Sequence, residues 1–561
     1  MLKRLDYVIG AVALSAFFLL LLELGSFFDR YLHILRLINA SILGIFIIDV
    51  AFRFAISKDK RAHIKSNFID LIVFAPLFNF FRGAFDSTAS VIMWQVVIVC
   101  MLVSRVRKIN KFITLLSLRP AQLMVTSFGF VIMAGAILLM LPFAAHTGEK
   151  TSLIDAIFTA TSATCVTGLI VKDTGTYFSI FGQVVILALI QLGGLGIMTF
   201  SVSLGILMGK KIQMGQQAVM KEVLDQDMLS TVKSFLLFIV KMTLFFELSG
   251  AIILFFVWRE RFFQGWAETA YHAAFHSISA FCNAGFSTFT DSLVRFSGDI
   301  WTNASIALLI IFGGLGFLVI YDIYGKARKT LVERSRETIG LRLQTRTVIG
   351  MSLFLILAGA VVIYLSAGEG VFGSLSGKNA PLIAIFQSIT TRTAGFNTCQ
   401  ISQLSVSALF CMILLMFIGG SPGSTAGGIK TTTVAVLWAA LRDGFRQKEN
   451  VEMHKRTIPT DVILRALAIL LGSALVVVIF VFLLLYFERK AFIDILFEAV
   501  SAFGTVGLSR GITSELSAPG KILISLLMFI GRVGPLTIGY AFVRRKAQSH
   551  YKYAEERVMI G

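Results

Sequence analysis

Charge is what this 561-residue sequence has least of: Asp, Glu, Lys and Arg make up 15% of it, where a soluble domain carries about a quarter. Acids are the scarcer sign, 32 against 51 Lys and Arg. The length would allow several soluble domains, but this composition excludes them. Cysteine is rare as well. Cys100, Cys165, Cys282, Cys399 and Cys411 lie in or beside apolar runs at no metal-ligand spacing, which argues against a disulfide framework and a zinc site. The sequence has no His/Glu metal motif, no Ser/His/Asp set and no nucleotide fingerprint, so it is not expected to be an enzyme. No small-residue cleavage site precedes the first apolar run near Tyr7, which is expected to insert uncleaved, and no soluble regulatory domain is expected.

What fills the chain is apolar: 56% hydrophobic residues, 51 Phe and a mean hydropathy of +0.82. Runs of roughly 20 such residues alternate with short basic clusters, the pattern of an all-α integral membrane protein. Candidate spans fall at about 7–28, 34–56, 68–81, 89–104 and 122–142, the third weakened by Asp70, Pro76 and Asn79. Before residue 120, twelve basic residues lie on one side (Lys3, Arg4, five from Arg53 to Lys65, five from Arg105 to Arg119) against Arg30 and Arg82 on the other. That asymmetry places the N-terminus in the cytoplasm. Later clusters, at Lys210–Lys211, 326–346, 442–456 and 544–546, recur after each further pair of spans and imply a cytoplasmic C-terminus. The net charge of +19 is therefore a topology signal, with anionic membrane lipids rather than nucleic acid as its partner.

After residue 120 four stretches align: TATSATCVTGL (Thr159–Leu169), HSISAFCNAGF (His276–Phe286), QSITTRTAGFN (Gln387–Asn397) and EAVSAFGTVGL (Glu498–Leu508). Their glycines, Gly168, Gly285, Gly395 and Gly507, are 117, 110 and 112 residues apart. A second motif follows each by 24 to 28 residues, at Gly193, Gly313, Gly419 and Gly531. Each unit reads as apolar span, short half-apolar segment, glycine turn, apolar span. The middle segment is too short to cross a bilayer, so it is expected to enter and leave on one side, which is tolerated only beside a wet cavity. Four such turns around one axis would bring backbone carbonyls to a common constriction, where they can replace the hydration shell of a cation. One unit alone would suit close helix packing better. Four in register, with a matching downstream motif, favour a pore.

At these residues the sequence resembles the Trk/Ktr/HKT superfamily of potassium transporters over about residues 115–550, and within it the Ktr/Trk membrane subunits; IQLGGLGIMTF, FIGGSPGSTAGGIKTTT and FIGRVGPLTIGY also look like family signatures. The resemblance implies four M1–pore helix–M2 repeats on one chain (about 116–212, 230–330, 345–445 and 460–546) forming a pseudo-tetrameric pore, with 547–561 as a cytoplasmic tail. It implies a filter of Thr164, Cys165, Val166, Thr167 and Gly168; Cys282, Asn283, Ala284 and Gly285; Arg392, Thr393, Ala394 and Gly395; and Gly504, Thr505, Val506 and Gly507. Four filter glycines imply K⁺ as the transported ion, with Na⁺ as the alternative cation. The family's intramembrane gating loop would be Gly419, Gly420, Ser421, Gly423, Ser424, Thr425, Gly427, Gly428 and Lys430, facing Arg532. Five Gly and a Pro within ten residues cannot sustain a straight helix. A phosphate loop is rejected because Ile429 separates the last glycine from Lys430 and no strand precedes. The resemblance further implies a homodimer in the cell (inner) membrane, docked on a cytosolic RCK-type ring (TrkA- or KtrA-like) that binds nucleotide, with the loops at 326–346 and 442–456 as docking surfaces.

Several residues carry two readings. Arg532 is expected below the filter as a barrier to throughflow, or paired with Glu247 or Glu498. Asp155 and Asp494, thirteen residues before their glycines, suit short-helix N-termini better than cation capture. Arg392 is expected to brace its turn through a carboxylate or carbonyl, His272 and His276 to pack or cap, and Cys165 and Cys282 to be buried small residues. Residues 1–115 are expected to add about four transmembrane helices. Asp49, Arg53, Asn67, Asp70, Arg105, Lys108 and Lys111 give them a faint likeness to a voltage-sensor module, although an orientation-setting basic cluster fits better because Val91–Val103 is uncharged. The competing function is a cation-coupled secondary transporter, against which the break at 419–433 contains no acid.

Overall fold

The computed structural model describes residues 32–56, 60, 120–196, 232–263, 265–331, 341–366 and 379–542. Those residues are helical apart from turns and one two-stranded hairpin. The second candidate span is present as α1 (Leu32–Ile56), whose Ile42, Phe46 and Val50 are buried at helical spacing while Ile45, Ile48 and Phe52 are exposed. The other three N-terminal spans, with Asn67, Asp70 and the basic residues Arg105, Lys108 and Lys111, lie outside the described residues.

The four repeats appear as helix triplets. The first is α2 (Pro120–Met140), α3 (Leu153–Thr164) and α4 (Ile180–Leu195); the second is α5 (Val232–Arg261), α6 (Trp266–Phe281) and α7 (Ile300–Leu315), continued by α8 (Phe317–Leu331). The third is α9 (Leu343–Ser366), α10 (Ala380–Thr390) and α11 (Val406–Phe417), continued by α12 (Thr431–Phe445). The fourth is α13 (Thr460–Phe487), α14 (Phe492–Gly504) and α15 (Ala518–Val533), continued by α16 (Pro535–Phe542). Every trailing helix starts at the same kind of cap. Ser179, Asp299, Ser405 and Ser517 accept the backbone N–H of Gly182, Thr302, Ala408 and Gly520, satisfying an amide the helix itself cannot.

The triplets close into a ring. In units one, two and four the short helix packs between leading and trailing helices, in unit three α9 packs on both α10 and α11, and each trailing helix also packs on the short helix of the next unit: α4 on α6, α7 on α10, α11 on α14, and α15 back on α3. Glycines let the layers approach. A Cβ on Gly250 or Gly359 would lie 2.5 Å from the hydroxyl of Ser277 or Ser388, and those hydroxyls donate to the Glu247 and Ile356 carbonyls at 2.6 and 2.8 Å. The outer faces stay apolar and exposed, as at Leu464, Leu471, Leu475, Val478 and Phe482 of α13, which suits contact with lipid.

One expectation needs correcting. The trailing segments of units two and four are not straight spans: they bend by 97° between α7 and α8 and by 92° between α15 and α16. The bends fall at Gly316 and Gly534, both with φ near +90°, and Pro535 then opens α16 without needing an amide partner. Only Leu236–Arg261, Leu343–Ser366 and Thr460–Phe487 are long and apolar enough to cross a membrane unbroken among the described residues, or five segments if each bent pair counts once. After α12 the basic loop is a hairpin of β1 (Glu452–Met453) and β2 (Arg456–Thr457). Asp443 ties it down, accepting Arg442 at 2.9 and 3.0 Å and the Glu452 N–H at 2.9 Å.

Candidate functional site

The four glycine turns follow directly on the C-terminal ends of α3, α6, α10 and α14, so the negative ends of four short helices converge where the turns meet. Each turn has the same backbone rhythm. Positive φ occurs at the glycine and two residues before it: Val166 and Gly168, Asn283 and Gly285, Thr393 and Gly395, Thr505 and Gly507. The intervening amides point back at the helix, Thr167 to Ser162, Ala284 to Ser279 and Val506 to Ser501 at 2.8 Å, and Ala394 to Thr390 at 2.9 Å. A trans peptide holds its N–H and C=O in opposite directions, so the carbonyls of Val166, Asn283, Thr393 and Thr505 face away from the helices. Among the described residues these carbonyls accept no hydrogen bond.

The turns touch one another in cyclic order. A Cβ on Gly285 would lie 2.8 Å from the Ala394 oxygen, and one on Gly395 would lie 2.5 Å from the Val506 oxygen. On Gly507 it would overlap the Thr167 oxygen, and on Gly168 the Ala284 oxygen, which closes the circle. Glycine is therefore required twice over, for its positive φ and for the absence of a side chain between neighbouring carbonyls. Of the residues expected at the constriction, Thr164 and Gly504 are the last residues of α3 and α14 rather than part of the turns, and Arg392 is directed away to Ser352. The Thr164 and Thr167 hydroxyls are buried there without a hydrogen-bond partner.

The broken third trailing helix lies against this ring. Its loop, between Phe417 and Thr431, is pinned at several points. Ser421 and Thr425 donate their amides to the Gly314 and Gly313 carbonyls at 3.1 and 3.3 Å, and the Phe317 N–H donates to the Gly423 carbonyl at 2.9 Å. The Gly427 N–H donates to the Thr505 hydroxyl at 3.1 Å, which ties the loop to the fourth turn. Lys430 donates to two carbonyls of its own loop, Ala426 at 2.6 Å and Gly427 at 3.4 Å. Arg532 donates to the Thr425 carbonyl on the loop and to the Gly193 carbonyl at the end of α4.

That arrangement corrects the ion-pair alternative for Arg532. Glu247 accepts the Gln191 amide at 3.2 Å, and Glu498 accepts the hydroxyls of Ser509 at 2.8 Å and of Thr513, so neither named acid faces the arginine. Arg392 turns outward, donating to the Ser352 carbonyl and hydroxyl at 3.3 and 3.1 Å. Asp155 and Asp494 are neutralised by Lys521, at 2.7 Å, and by Arg510. The α3 cap is Ser152, whose hydroxyl accepts the Asp155 N–H. His272 bonds the Thr288 hydroxyl at 2.7 Å, and no group of three metal-ligating side chains occurs among the described residues. Cys165 and Cys282 are buried free thiols. Sequence reasoning missed the tie between Gly427 and Thr505, and Gly193 as an arginine acceptor. A hydroxyl in an apolar turn was the available signal for the first; nothing in the sequence marks a carbonyl as an acceptor.

The family model described as a cation transport protein, TrkH, matches residues 89–552. The chain belongs to the TrkH family. Its match takes in the fourth candidate N-terminal span and leaves residues 1–88 outside. The Ktr system potassium uptake protein B of Vibrio alginolyticus is 40% identical over 78% of this chain and 94% of that protein. The potassium/sodium uptake protein NtpJ of Enterococcus hirae is 36% identical over 79% of this chain and 98% of that one. The crystal structure of the potassium transporter TrkH from Vibrio parahaemolyticus superposes with a TM-score of 0.57 at 16% identity, over 91% of this chain and 97% of that one, a likeness of fold. TrkH-family proteins are transporters rather than enzymes, and the all-α architecture of repeated helix units is theirs.

Proposed function

We propose that this TrkH-family chain is the membrane subunit of a potassium uptake system in which K⁺ crosses through the ring of four glycine turns. The reading rests on one observation: carbonyls from four turns, free of hydrogen bonds, meet in cyclic order at glycines that leave no side chain between them. Such carbonyls can take the place of water around a dehydrating cation. The short-helix C-termini add partial negative charge that offsets part of the dehydration cost. The loop from Gly419 to Lys430 and Arg532 form the gate on the inner side of the ring, the arginine placing one positive charge beside the path. The names of the Ktr and NtpJ relatives support K⁺, with Na⁺ as the second cation. In this reading the chain works as a homodimer in the cell membrane with both termini cytoplasmic. A cytosolic nucleotide-binding ring docks under it, on basic loops that include the hairpin tied by Asp443.

The test is rescue of a bacterium lacking its own K⁺ uptake, with the regulatory partner supplied, comparing wild type with Gly168→Ser over a range of K⁺ and Na⁺ concentrations. Wild type restores growth at low K⁺, and the serine variant loses preference for K⁺ over Na⁺. No rescue, or an unchanged preference in the variant, would overturn the reading.

A further inference from the structure

Behind three of the four turns, the same place on the short helix holds the chain leaving the glycine. In unit two His276 lies 2.9 Å from the hydroxyl of Ser287, two residues past Gly285. The other ring nitrogen of His276 is 2.8 Å from the His272 carbonyl, which can only accept, so Nδ1 carries the proton and Nε2 accepts from Ser287. In unit three Gln387 donates to the hydroxyl of Thr398, three residues past Gly395, at 3.4 Å. In unit four Glu498 accepts the hydroxyl of Ser509, two residues past Gly507, at 2.8 Å, and that of Thr513. All three short-helix residues are fully buried, and each directly follows a Phe, Phe275, Phe386 or Phe497. Unit one differs. Thr159 stands at this place and spends its hydroxyl on the Asp155 carbonyl at 2.8 Å, Ile170 stands where units two and four carry Ser, and the Gly168 N–H donates instead to the Ser162 hydroxyl at 3.1 Å.

A buried imidazole, amide and carboxylate of different chemistry, each engaging a hydroxyl just past its glycine, are not what close packing alone requires. Where selectivity comes from cavity size, a carbonyl ring must resist collapsing onto a smaller ion, and these bonds anchor the strand that would have to move. We propose that His276, Gln387 and Glu498 are positioning residues for ion selectivity, holding three sides of the ring rigid. The inference rests on the ring being the filter.

The experiment removes the hydroxyl and keeps the volume: Ser287→Ala, Thr398→Val and Ser509→Ala, each scored for K⁺ and Na⁺ uptake by whole cells at matched membrane levels. Thr398→Ser, which restores a hydroxyl, serves as the rescue, Ile170→Ala as the control in unit one, which has no such bond past its glycine, and Gly395→Ser as the probe of the filter itself. Each brace variant is expected to lower the K⁺ over Na⁺ preference by about fivefold, the scale of one net hydrogen bond. The serine rescue and the Ile170 control keep the wild-type preference. If Gly395→Ser changes the preference and the three brace variants do not, or if they lower uptake of both ions equally, the positioning role is wrong and the filter reading stands. If Gly395→Ser leaves the preference intact, the filter reading itself falls. A variant that fails to reach the membrane is replaced by its partner substitution, His276→Leu, Gln387→Leu or Glu498→Leu, scored in the same way.

Discussion

Arg532 hydrogen-bonds to two backbone carbonyls from different repeats and to no acid, so its charge is held by dipoles and stays uncancelled. On the proposed pore, a guanidinium in that position keeps its field along the path of a permeating cation. Arg532→Ala is expected to raise K⁺ uptake by about fivefold, roughly 1 kcal/mol of repulsion after screening. Unchanged or lower uptake at equal expression would count against a barrier role. Arg392 shows the contrasting use of the same side chain. It is three residues from Gly395, yet it is directed away to Ser352 and acts as a brace. Residue type alone did not separate the two cases. What separates them is which element each guanidinium can reach, and that is set by the fold.

At the scale of elements, the contact between the intramembrane loop and the fourth turn is a single buried bond, from the Gly427 N–H to the Thr505 hydroxyl. Removing the acceptor leaves an amide without a partner, at about 1–3 kcal/mol. Thr505→Val is therefore expected to loosen the closed loop and raise uptake measured without the regulatory partner, while Thr505→Ser stays close to wild type. Identical behaviour of the two variants would dismiss the link. The four short helices and the break in the third trailing helix were legible in the sequence, because short half-apolar stretches and a run of Gly and Pro interrupt the hydropathy pattern. The bends at Gly316 and Gly534 were not. Apolar residues continue on both sides of each glycine, and hydropathy does not register a change of direction within an apolar run. The cyclic packing was only half visible: repeats imply a ring, but they do not say which helix touches the next unit.

For the whole molecule, three joints of the ring are crossed by the continuous chain and the fourth, between units four and one, is not. That seam carries its own fastenings. Lys521 pairs with Asp155 at 2.7 Å, and the Gln122 amide donates to the Ala541 carbonyl at 3.0 Å. Lys521→Met would strand a mostly buried carboxylate and is expected to cost about 2 kcal/mol or more, read as a lower melting temperature in detergent. Adding Asp155→Asn should recover much of that loss; a double variant no more stable than the single one would rule the pair out as a fastening. Building the ring on one chain has a further consequence of stoichiometry. A pore assembled from four identical subunits must take every substitution four times, so one arginine near the axis would become four and would close the path to cations altogether. Here Gly194, Gly314 and Gly420 stand where Arg532 stands in the last unit. On the proposed pore, the charge beside the path can thus change by a single unit, a step that fourfold symmetry does not allow.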